Sequence, residues 1–392
     1  MSDRADPTHR LPPAEALLAE ARARTGIGLI DREAVQPLTV LVKSLNQDGA
    51  LHAAGAAAMH ARLGRILSNR LRMRRDFAAH PDIAAERVLA PVFICGMART
   101  GSTKTQKLLA ASGDFNWLPY WQVLNPALIS GDRSESTDAR IADTDTFARW
   151  FDAASPETRY GHHFETHEPE EESFILEHSL RTPTFMGWAP LNGYLDWLGT
   201  QDMATQFEWL RDTLKYLQWQ GLALRTRRWI LKSPLYSGLE PLLLRTFPDA
   251  RLVMTHRHPQ VTIPSGLRLL ECFYKPFTAS RPDAAYFVAG QSAAINAHRA
   301  FRATAPSATF LDIDFAELNR DVSCAIGRIY GFASMDFSAA AERRVLAWNA
   351  SNPQHKHGRH KYSLERYALT PEGIANSFEG YIRFLGERFP TS

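Results

Sequence analysis

Residues 91–103 read PVFICGMARTGST, and this stretch decides the fold. It begins with an apolar, β-rich run of the kind that is buried in parallel sheets. A loop bounded by Gly96 and Gly101 follows, and the chain continues through residues 106–111 as a helix. A strand, a glycine-bounded loop and a helix form a βα unit whose helix N-terminus can bind a phosphate through free backbone N–H groups. The sequence therefore predicts a phosphate site at this loop.

Three further apolar runs repeat the strand pattern, at residues 229–232, 251–255 and 309–313. Helical segments lie between them, the first of them over residues 239–247. Strands that alternate with helices are typical of a mostly parallel sheet. We therefore predict a three-layer α/β fold with a mostly parallel central sheet.

Two helical regions accompany this sheet. Residues 14–87 carry three-to-four spacing of apolar residues, which predicts a helical N-terminal segment over 1–90 and an α/β domain over 91–392. An insertion over about residues 115–228 is far longer than a simple crossover needs. We expect it to form a helical cap over the carboxyl edge of the sheet, where ligands bind in open α/β folds. Its aromatic residues include Trp117, Trp121, Trp150, Phe151, Trp188 and Trp197.

Composition and charge exclude several classes of protein. The chain has 392 residues with 45 Lys and Arg against 42 Asp and Glu, a net charge of +3. This excess is smaller than nucleic-acid-binding proteins usually show. The densest basic cluster is interleaved with leucine and isoleucine, which predicts an amphipathic helix with a solvated arginine face. Its arginines are Arg62, Arg65, Arg70, Arg72, Arg74 and Arg75.

The spacing of the cysteines and the hydropathy of the chain exclude further classes of protein. Cys95, Cys272 and Cys324 stand far apart, which excludes a disulfide scaffold and a zinc ribbon. Residues 1–13 lack the apolar core of a signal peptide, and the longest uncharged stretch, 115–131, is too short and too interrupted to span a bilayer. We therefore expect a cytoplasmic protein with no membrane span. A homo-oligomer is compatible with the sequence.

The phosphate loop departs from a strict P-loop at one position. A P-loop reads GxxxxGK[ST], and its lysine reaches the outer phosphates of a nucleotide. Here Gly96 and Gly101 have that spacing, but Ser102 occupies the lysine position and Arg99 supplies the cation. Ser102 and Thr103 add hydroxyl donors at the start of the helix. The loop should therefore hold a phosphate through N–H, hydroxyl and guanidinium groups, without an obligatory metal.

The same loop resembles the 5′-phosphosulfate loop of sulfotransferases. The usual form of that loop is G-x-P-R-[ST]-G-[ST]-T, and residues 96–103 match it with Ala98 in place of proline. Arg257 and Ser265, eight residues apart, match the 3′-phosphate pair of the family. A guanidinium at a strand end and a hydroxyl on the next helix can converge on one phosphate.

Two further stretches extend the resemblance. Residues 231–234 read LKSP and resemble the second strand end of the family, whose lysine, here Lys232, faces the transferring sulfuryl group. Residues 357–363 read HGRHKYS and resemble the C-terminal segment of the bacterial branch. In related sulfotransferases a basic C-terminal loop closes over the cofactor, which implies a donor contact for Arg359.

The chain thus resembles bacterial sulfotransferases that use 3′-phosphoadenosine 5′-phosphosulfate (PAPS). The resemblance implies a P-loop-like fold, PAPS as co-substrate, no metal, and a small hydroxylated acceptor in an apolar pocket lined by cap aromatics. It also implies that Arg99 and Lys232 stabilise the leaving phosphate during an in-line displacement. The donor-binding residues that it implies are Arg99, Thr100, Gly101, Ser102, Thr103, Arg257, Ser265 and Arg359.

The general base is where this chain departs from the family. Members commonly carry a Trp-Glu pair whose glutamate can act as base, but here the pair is Trp121-Gln122, and an amide cannot accept the proton. Pro169 can start a helix that places the following carboxylates in its first turn. The remaining candidates for the base are Glu170, Glu171, His162 and His163.

Several alternatives stay open. Lys232 can be a strand-end lysine that snorkels to solvent, and Glu170–Glu172 can be a solvated acidic helix start. The two cap histidines can be structural, and His256 and His258 are expected to shape the turn around the intervening arginine. The alternative functions are a small-molecule P-loop kinase, which would need ATP and magnesium, and a catalytically weakened nucleotide-binding homologue, which Gln122 would explain.

Overall fold

The structure, a computed structural model, describes residues 9–353 and 362–389. Its strands are β1 (Val92–Cys95), β2 (Ile230–Lys232), β3 (Arg251–His256) and β4 (Phe310–Asp314). In the described part of the chain they form one parallel sheet in the order β2-β1-β3-β4. Each strand begins and ends within one residue of the run that the sequence indicated. The prediction of an α/β fold with a mostly parallel sheet is therefore confirmed.

Helices precede the sheet and fill the long insertion between β1 and β2. The N-terminal helices are α1 (Ala14–Thr25), α2 (Arg32–Gln47), α3 (Ala53–Ala79) and α4 (Asp82–Ala85). After β1 come α5 (Ser102–Ser112), α6 (Tyr120–Leu124), α7 (Asp138–Ala154), α8 (Ser173–Leu176), α9 (Asn192–Leu198) and α10 (Ala204–Trp219). Both regions are thus helical, and the domain limits 1–90, 91–392 and 115–228 stay predictions.

The rest of the chain alternates strands with helices and then ends in helices. A short 3₁₀ helix, Pro234–Tyr236, follows β2. The remaining helices are α11 (Glu240–Thr246), α12 (Pro259–Tyr274), α13 (Ala284–Arg302), α14 (Phe315–Arg320), α15 (Val322–Phe332), α16 (Ala339–Ser351), α17 (Pro371–Ser377) and α18 (Glu379–Arg388). Among the described helices, none combines the length and the apolar character that crossing a bilayer requires.

The sheet separates two hydrophobic cores. Because successive side chains of a strand point to opposite faces, Phe93 and Cys95 of β1 enter one core while Val92 and Ile94 enter the other. The first core also contains residues of the N-terminal helices and of the cap, so these two regions pack together on one face of the sheet. The second core is closed by residues of α5, α15 and α16.

The arginine cluster of α3 differs from its prediction. Arg62 and Arg70 are each 1% exposed. The Arg62 guanidinium donates to Glu177 at 2.5 Å and lies 4.1 Å from the centroid of the Trp188 ring, while Arg70 donates to Asp31 at 2.6 Å. The prediction of a solvated arginine face is wrong for these two residues, because α3 is packed against α1 and the cap and buried carboxylates neutralise both cations.

Candidate active site

The loop between β1 and α5 has a backbone that few residue types can adopt. Gly96 and Gly101 have φ angles of 119° and 93°, in the left-handed region that favours glycine. A Cβ atom at Gly96 would clash with the carbonyl oxygen of Thr255 on β3. Arg99 adopts a φ of 72° although it carries a side chain, a conformation that is uncommon and concentrated at functional sites. The loop therefore runs tightly past β3 before α5 begins.

The hydroxyl groups of this loop divide into two kinds. Thr100 donates to the carbonyl oxygen of Met97 at 2.7 Å, and its Oγ1 lies 2.6 Å from Oγ1 of Thr255. Its side chain is thus used to fix the loop to β3, and its backbone N–H is what it can offer a ligand. In contrast, the Ser102 and Thr103 hydroxyls make no hydrogen bond to any described residue. The start of α5 therefore combines free N–H groups with two free hydroxyls, which suits a phosphate.

Three of the predicted donor residues converge beside the loop. Arg99 donates through Nε to Ser265 Oγ at 3.1 Å and through Nη1 to the Gly161 carbonyl oxygen at 2.8 Å. Arg257, directly after β3, donates to the Arg99 carbonyl oxygen at 3.3 Å. Burial lowers the pKa of both guanidinium groups, and a partly desolvated cation attracts an anion more strongly than one in water. The structure brings these residues together, and their donor contacts stay predictions.

Lys232 brings a further positive charge to the same edge of the sheet. It is the last residue of β2, and in the register of the sheet it pairs with Ile94, just before the loop. Lys232 is 1% exposed, its ammonium group pairs with the Glu171 carboxylate, and its backbone N–H donates to Glu172 at 2.9 Å. The snorkelling alternative is wrong, because the ammonium group is held inside the protein.

Glu170 and His162 form a partly buried pair next to this lysine. Nε2 of His162 lies 2.9 Å from Oε2 of Glu170, and the other oxygen of Glu170 accepts the backbone N–H of Glu171 at 2.7 Å. Burial alone would raise the pKa of Glu170, but His162 and Lys232 outweigh it and hold this pKa below its usual value. The Glu170 carboxylate is therefore ionised at neutral pH and orients the imidazole ring.

The predicted helix start at Pro169 is wrong. Pro169 forms an isolated antiparallel bridge with Pro119, and the N–H of Glu170 donates to the Leu118 carbonyl oxygen at 2.9 Å. These strand-like contacts occupy the backbone, so α8 begins only at Ser173. The alternative of a solvated acidic helix start is wrong as well, because Glu170 is 5% exposed and the residues after it lie against Lys232.

Glu172 is a site residue that the sequence reasoning missed. It is fully buried, and its carboxylate accepts hydrogen bonds from the backbone N–H of Lys232 and from the Tyr236 hydroxyl. Burial raises its pKa to about 7, although these two hydrogen bonds act in the opposite direction. Glu172 thereby ties the cap segment to the end of β2. Its neighbours in the sequence gave no signal for this contact, because Lys232 lies sixty residues further on.

The other histidines and Gln122 lie outside this pair. Gln122 is buried, and its side-chain oxygen has no partner among the described residues. His163 faces Asp152, with 4.0 Å between Nδ1 and Oδ1. His258 caps α12 by accepting the N–H two residues further on at 3.3 Å, and His256 is hydrogen-bonded within the protein on both ring nitrogens. His258 thus shapes the turn as expected, whereas the His256 ring ties β3 to β4 and to the C-terminal part of the described chain.

Aromatic rings lie beside His162, at one side of the cluster that it forms with Glu170, Glu171 and Lys232. The His162 ring lies 4.7 Å from the Phe164 ring and 5.7 Å from the Phe273 ring, between centroids. These two phenylalanines stack at 5.9 Å, Tyr120 stacks on Phe164 at 4.9 Å, and Trp188 stacks on Phe273 at 5.7 Å. We call Tyr120, Phe164, Trp188 and Phe273 the aromatic wall. Tyr120, Phe164 and Trp188 are buried in the first core, whereas Phe273 is half-buried, so the apolar surface next to the imidazole comes from Phe273.

The aromatic residues named from the sequence divide between this wall and other places. Trp150 and Phe151 contact each other, and Phe151 also contacts Phe164 of the aromatic wall. Trp121 lies under the Arg140 guanidinium, Trp197 packs on Tyr194, and Trp117 packs against the second core. Of the six, Trp150, Phe151 and Trp188 are therefore the ones that the structure brings near the cluster.

Three side chains of the site could in principle coordinate a metal ion. His162, Glu170 and Glu171 each offer one ligand atom, and these atoms lie within 4.8 Å of one another. The ammonium group of Lys232 already neutralises Glu171, however, and would repel a cation placed there. These residues therefore fit a metal poorly. Arg359, the last predicted donor residue, lies outside the described residues.

A family model and curated relatives match this chain. The model of the sulfotransferase family matches residues 91–339. The omega-hydroxy-beta-dihydromenaquinone-9 sulfotransferases Stf3 of Mycobacterium bovis and Mycobacterium tuberculosis are each 26% identical to it over 209 residues, which are 50% of this chain and 50% of each relative. The match thus spans about half the length of these curated relatives.

Two solved structures have the same fold over nearly the whole chain. Sulfotransferase STF9 from Mycobacterium avium is 24% identical, with a TM-score of 0.82, and the match covers 95% of this chain and 96% of that one. Sulfotransferase STF1 from Mycobacterium tuberculosis H37Rv is also 24% identical, with a TM-score of 0.78 and coverage of 95% and 100%. The likeness shows that the chain has the P-loop-like fold of these proteins.

Proposed function

Because this chain belongs to the sulfotransferase family, we propose that it transfers the sulfuryl group of PAPS to a hydroxyl group of a small apolar or aromatic acceptor. The observation that carries the proposal is the convergence of Arg99, Arg257 and Ser265 beside the start of α5. Such a cluster suits a nucleotide with two separate anionic groups. PAPS carries one at the 5′ position and one at the 3′ position.

The two ends of the donor are assigned to different elements. The 5′-phosphosulfate lies at the N-terminus of α5, where it accepts from backbone N–H groups, from Arg99 and from the hydroxyls of Ser102 and Thr103. The 3′-phosphate lies between Arg257 and Ser265. The hydrogen bond between Arg99 and Ser265 joins the two sites in the free protein. When PAPS binds, its phosphate groups accept the hydrogen bonds that Arg99 and Ser265 donate.

The transfer is an in-line displacement at sulfur. The acceptor oxygen forms a bond to sulfur, the bond from sulfur to the 5′-phosphate oxygen breaks, and that oxygen keeps the electron pair. Negative charge therefore grows on the leaving phosphate. Arg99 and Lys232 lie at the sheet edge where this charge develops, and they stabilise the transition state more than the ground state. No step requires a metal ion.

His162 is the general base of this proposal, and Glu170 orients it. The ionised Glu170 carboxylate accepts a hydrogen bond from the protonated Nε2 of His162 at 2.9 Å. The other ring nitrogen, Nδ1, therefore carries the free lone pair. Nδ1 makes no hydrogen bond to any described residue, so it can accept the hydroxyl proton of the acceptor. Glu170 then stabilises the imidazolium that forms. Glu171 is a poorer base, since its charge is already paired with Lys232.

The acceptor class follows from the surroundings of His162. The half-buried ring of Phe273 borders the imidazole, and apolar or aromatic molecules bury surface well against such a ring. The name of the curated relatives describes a hydroxylated dihydromenaquinone as their acceptor. An acceptor that combines a hydroxyl with an apolar body fits both observations.

Product analysis tests the proposal. The purified protein is incubated with PAPS, EDTA and a panel of phenols, steroids and prenyl alcohols, and the products are identified by mass spectrometry. We expect sulfated products at a rate that EDTA does not change. In a parallel incubation with ATP and magnesium in place of PAPS and EDTA, phosphorylated products would instead support a kinase. Binding of 3′,5′-bisphosphoadenosine without transfer to any acceptor would support a catalytically weakened homologue.

A further inference from the structure

Arg257 is supported from two directions by residues outside β3. The carbon of its guanidinium lies 3.9 Å from the centroid of the Phe315 ring, and Phe315 is the first residue of α14, directly after β4. Tyr381 is a fully buried residue of α18, and its hydroxyl lies 3.0 Å from Nδ1 of His256, the residue directly before Arg257. The side chain of Arg257 and the residue that precedes it are thus held by two different helices.

Phe315 fills the space between Arg257 and the phosphate loop. A Cβ atom placed on Gly101 would lie 3.0 Å from Cδ2 of Phe315, so the ring packs directly against the start of α5. A guanidinium over an aromatic face gains electrostatic attraction as well as contact area. The ring therefore holds the cation at the mouth of the loop, where the N–H groups other than the one that donates to Arg99 can face an anion.

Tyr381 belongs to a buried hydrogen-bonded chain. Its hydroxyl lies 3.0 Å from Nδ1 of His256, and Nε2 of His256 lies 2.9 Å from Oδ1 of Asp312. Burial lowers the pKa of His256, which is therefore neutral and carries one ring proton. Burial would raise the pKa of Asp312, but His256 and Arg302 hold it well below its usual range. The ionised carboxylate accepts a hydrogen bond from the protonated Nε2. The unprotonated Nδ1 therefore accepts a hydrogen bond from the Tyr381 hydroxyl.

The far end of this chain is anchored by arginines. Asp312 accepts from Arg302 at 2.6 Å, and Arg388 at the end of α18 lies 2.9 Å from the same carboxylate oxygen. Helix α18 is thus fixed near both of its ends, through Tyr381 and through Arg388. The direction of both hydrogen bonds from the Tyr381 hydroxyl through His256 to Asp312 is thus set, which holds the His256 ring in one orientation.

We propose that Tyr381 and Phe315 are positioning residues for the 3′-phosphate of the donor. Tyr381 acts through His256, the neighbour of Arg257, and Phe315 acts through the side chain of Arg257. The inference rests on the proposed function, because it takes Arg257 as the ligand of that phosphate. An arginine whose guanidinium group lies on an aromatic ring and whose neighbouring residue is fixed loses less conformational freedom on binding than a mobile one. Helix α18 therefore contributes to donor selectivity without touching the donor.

Calorimetric titration with two probes tests this role. The probes are 3′,5′-bisphosphoadenosine and adenosine 5′-phosphate, which differ by the 3′-phosphate alone. Tyr381→Phe removes one hydrogen bond, and Phe315→Leu keeps apolar volume but removes the aromatic face. Each variant should weaken binding of the bisphosphate by about fivefold and leave binding of the monophosphate unchanged. If the two residues had a purely structural role, the variants would bind both nucleotides more weakly by the same factor.

Tyr330→Phe is the matched control, because its hydroxyl donates to Asp114 at 2.8 Å in the second core. It should cost stability similar to that of Tyr381→Phe and leave the preference for the bisphosphate intact. An unchanged preference in both test variants, or equal losses for both probes, would overturn the inference. If Tyr381→Phe does not fold, the preference of Phe315→Leu for the bisphosphate over the monophosphate decides the test. Loss of the preference in Arg257→Ala alone would leave the donor assignment standing, whereas its retention there would remove that assignment too.

Discussion

The imidazole of His162 lies 2.9 Å from the carboxylate of Glu170, and that carboxylate is buried while the other face of the ring meets the aromatic wall. The pair has the geometry of an oriented base rather than of a surface ion pair. A carboxylate that accepts Nε2–H leaves Nδ1 as the proton acceptor. In the proposed function, this arrangement supplies the base that Gln122 cannot supply.

His162→Gln should therefore lower kcat by about a hundredfold or more, because proton removal by a positioned side chain contributes about that much. The affinity for 3′,5′-bisphosphoadenosine should stay within about twofold of the wild type, since His162 belongs to the acceptor side. Steady-state kinetics and calorimetry measure the two quantities. His163→Gln is the matched control and should retain its turnover, because His163 faces Asp152. Equal turnover in His162→Gln and the control would remove His162 from the mechanism.

Glu172 gives the folded protein a predictable dependence on pH. Its pKa is about 7 in the folded state against an ordinary value of 4.5. Between these values the folded state binds more protons than the unfolded state, so this group makes stability fall as the pH rises from about 5 to 7. Below about pH 5 the group has no effect on the free energy of unfolding, and above about pH 7 it lowers this free energy by a constant amount. The full effect is at most about 3 kcal/mol.

Glu172→Gln removes this titration and keeps an acceptor for the Lys232 N–H. The free energy of unfolding, measured by urea denaturation at pH 5, 6 and 7, should therefore rise in the variant relative to the wild type as the pH increases. Parallel pH profiles of the two proteins would show that Glu172 titrates near its ordinary value.

The buried arginine of α3 should matter for stability. Arg62→Met leaves the Glu177 carboxylate buried and unpaired, which typically costs about 3–5 kcal/mol. Arg65 lies one turn further along the same helix and pairs with Asp143, whose side chain is 50% exposed. Arg65→Met should cost no more than about 1 kcal/mol. Denaturant unfolding of both variants compares the two costs, and similar values would contradict the assignment of a buried ion pair.

Much of the donor side could be predicted from the sequence. The run at residues 91–103 combines a short apolar strand, two glycines at fixed spacing and a helix start. The structure has the strand within one residue of its predicted limits, and α5 begins at Ser102, four residues before the predicted helix. Such local patterns depend on neighbours in the chain. Arg257 and Ser265 meet Arg99 because they follow a parallel strand, and the carboxyl ends of parallel strands share one edge of the sheet.

The cap could be predicted less well, because long-range contacts decide it. Pro169 favours a helix start locally, but its bridge to Pro119 holds the segment extended. The arginines of α3 alternate with apolar residues as on a solvated helix, yet Arg62 finds Glu177 more than one hundred residues away. Burial of a charge requires a partner that local periodicity does not show. Glu172 was missed for the same reason.

Titration of the wild type and of Arg257→Ala with 3′,5′-bisphosphoadenosine and adenosine 5′-phosphate tests the central claim most directly. A hydrogen bond to a charged group contributes about 1.5–3 kcal/mol, and about 1.4 kcal/mol is a tenfold change in affinity. Arg257→Ala should therefore weaken binding of the bisphosphate by at least about tenfold and leave binding of the monophosphate unchanged, and Ser265→Ala should show the same selectivity at smaller size. Equal losses for both nucleotides would mean that Arg257 supports the fold or the 5′ site, and would contradict PAPS as the donor.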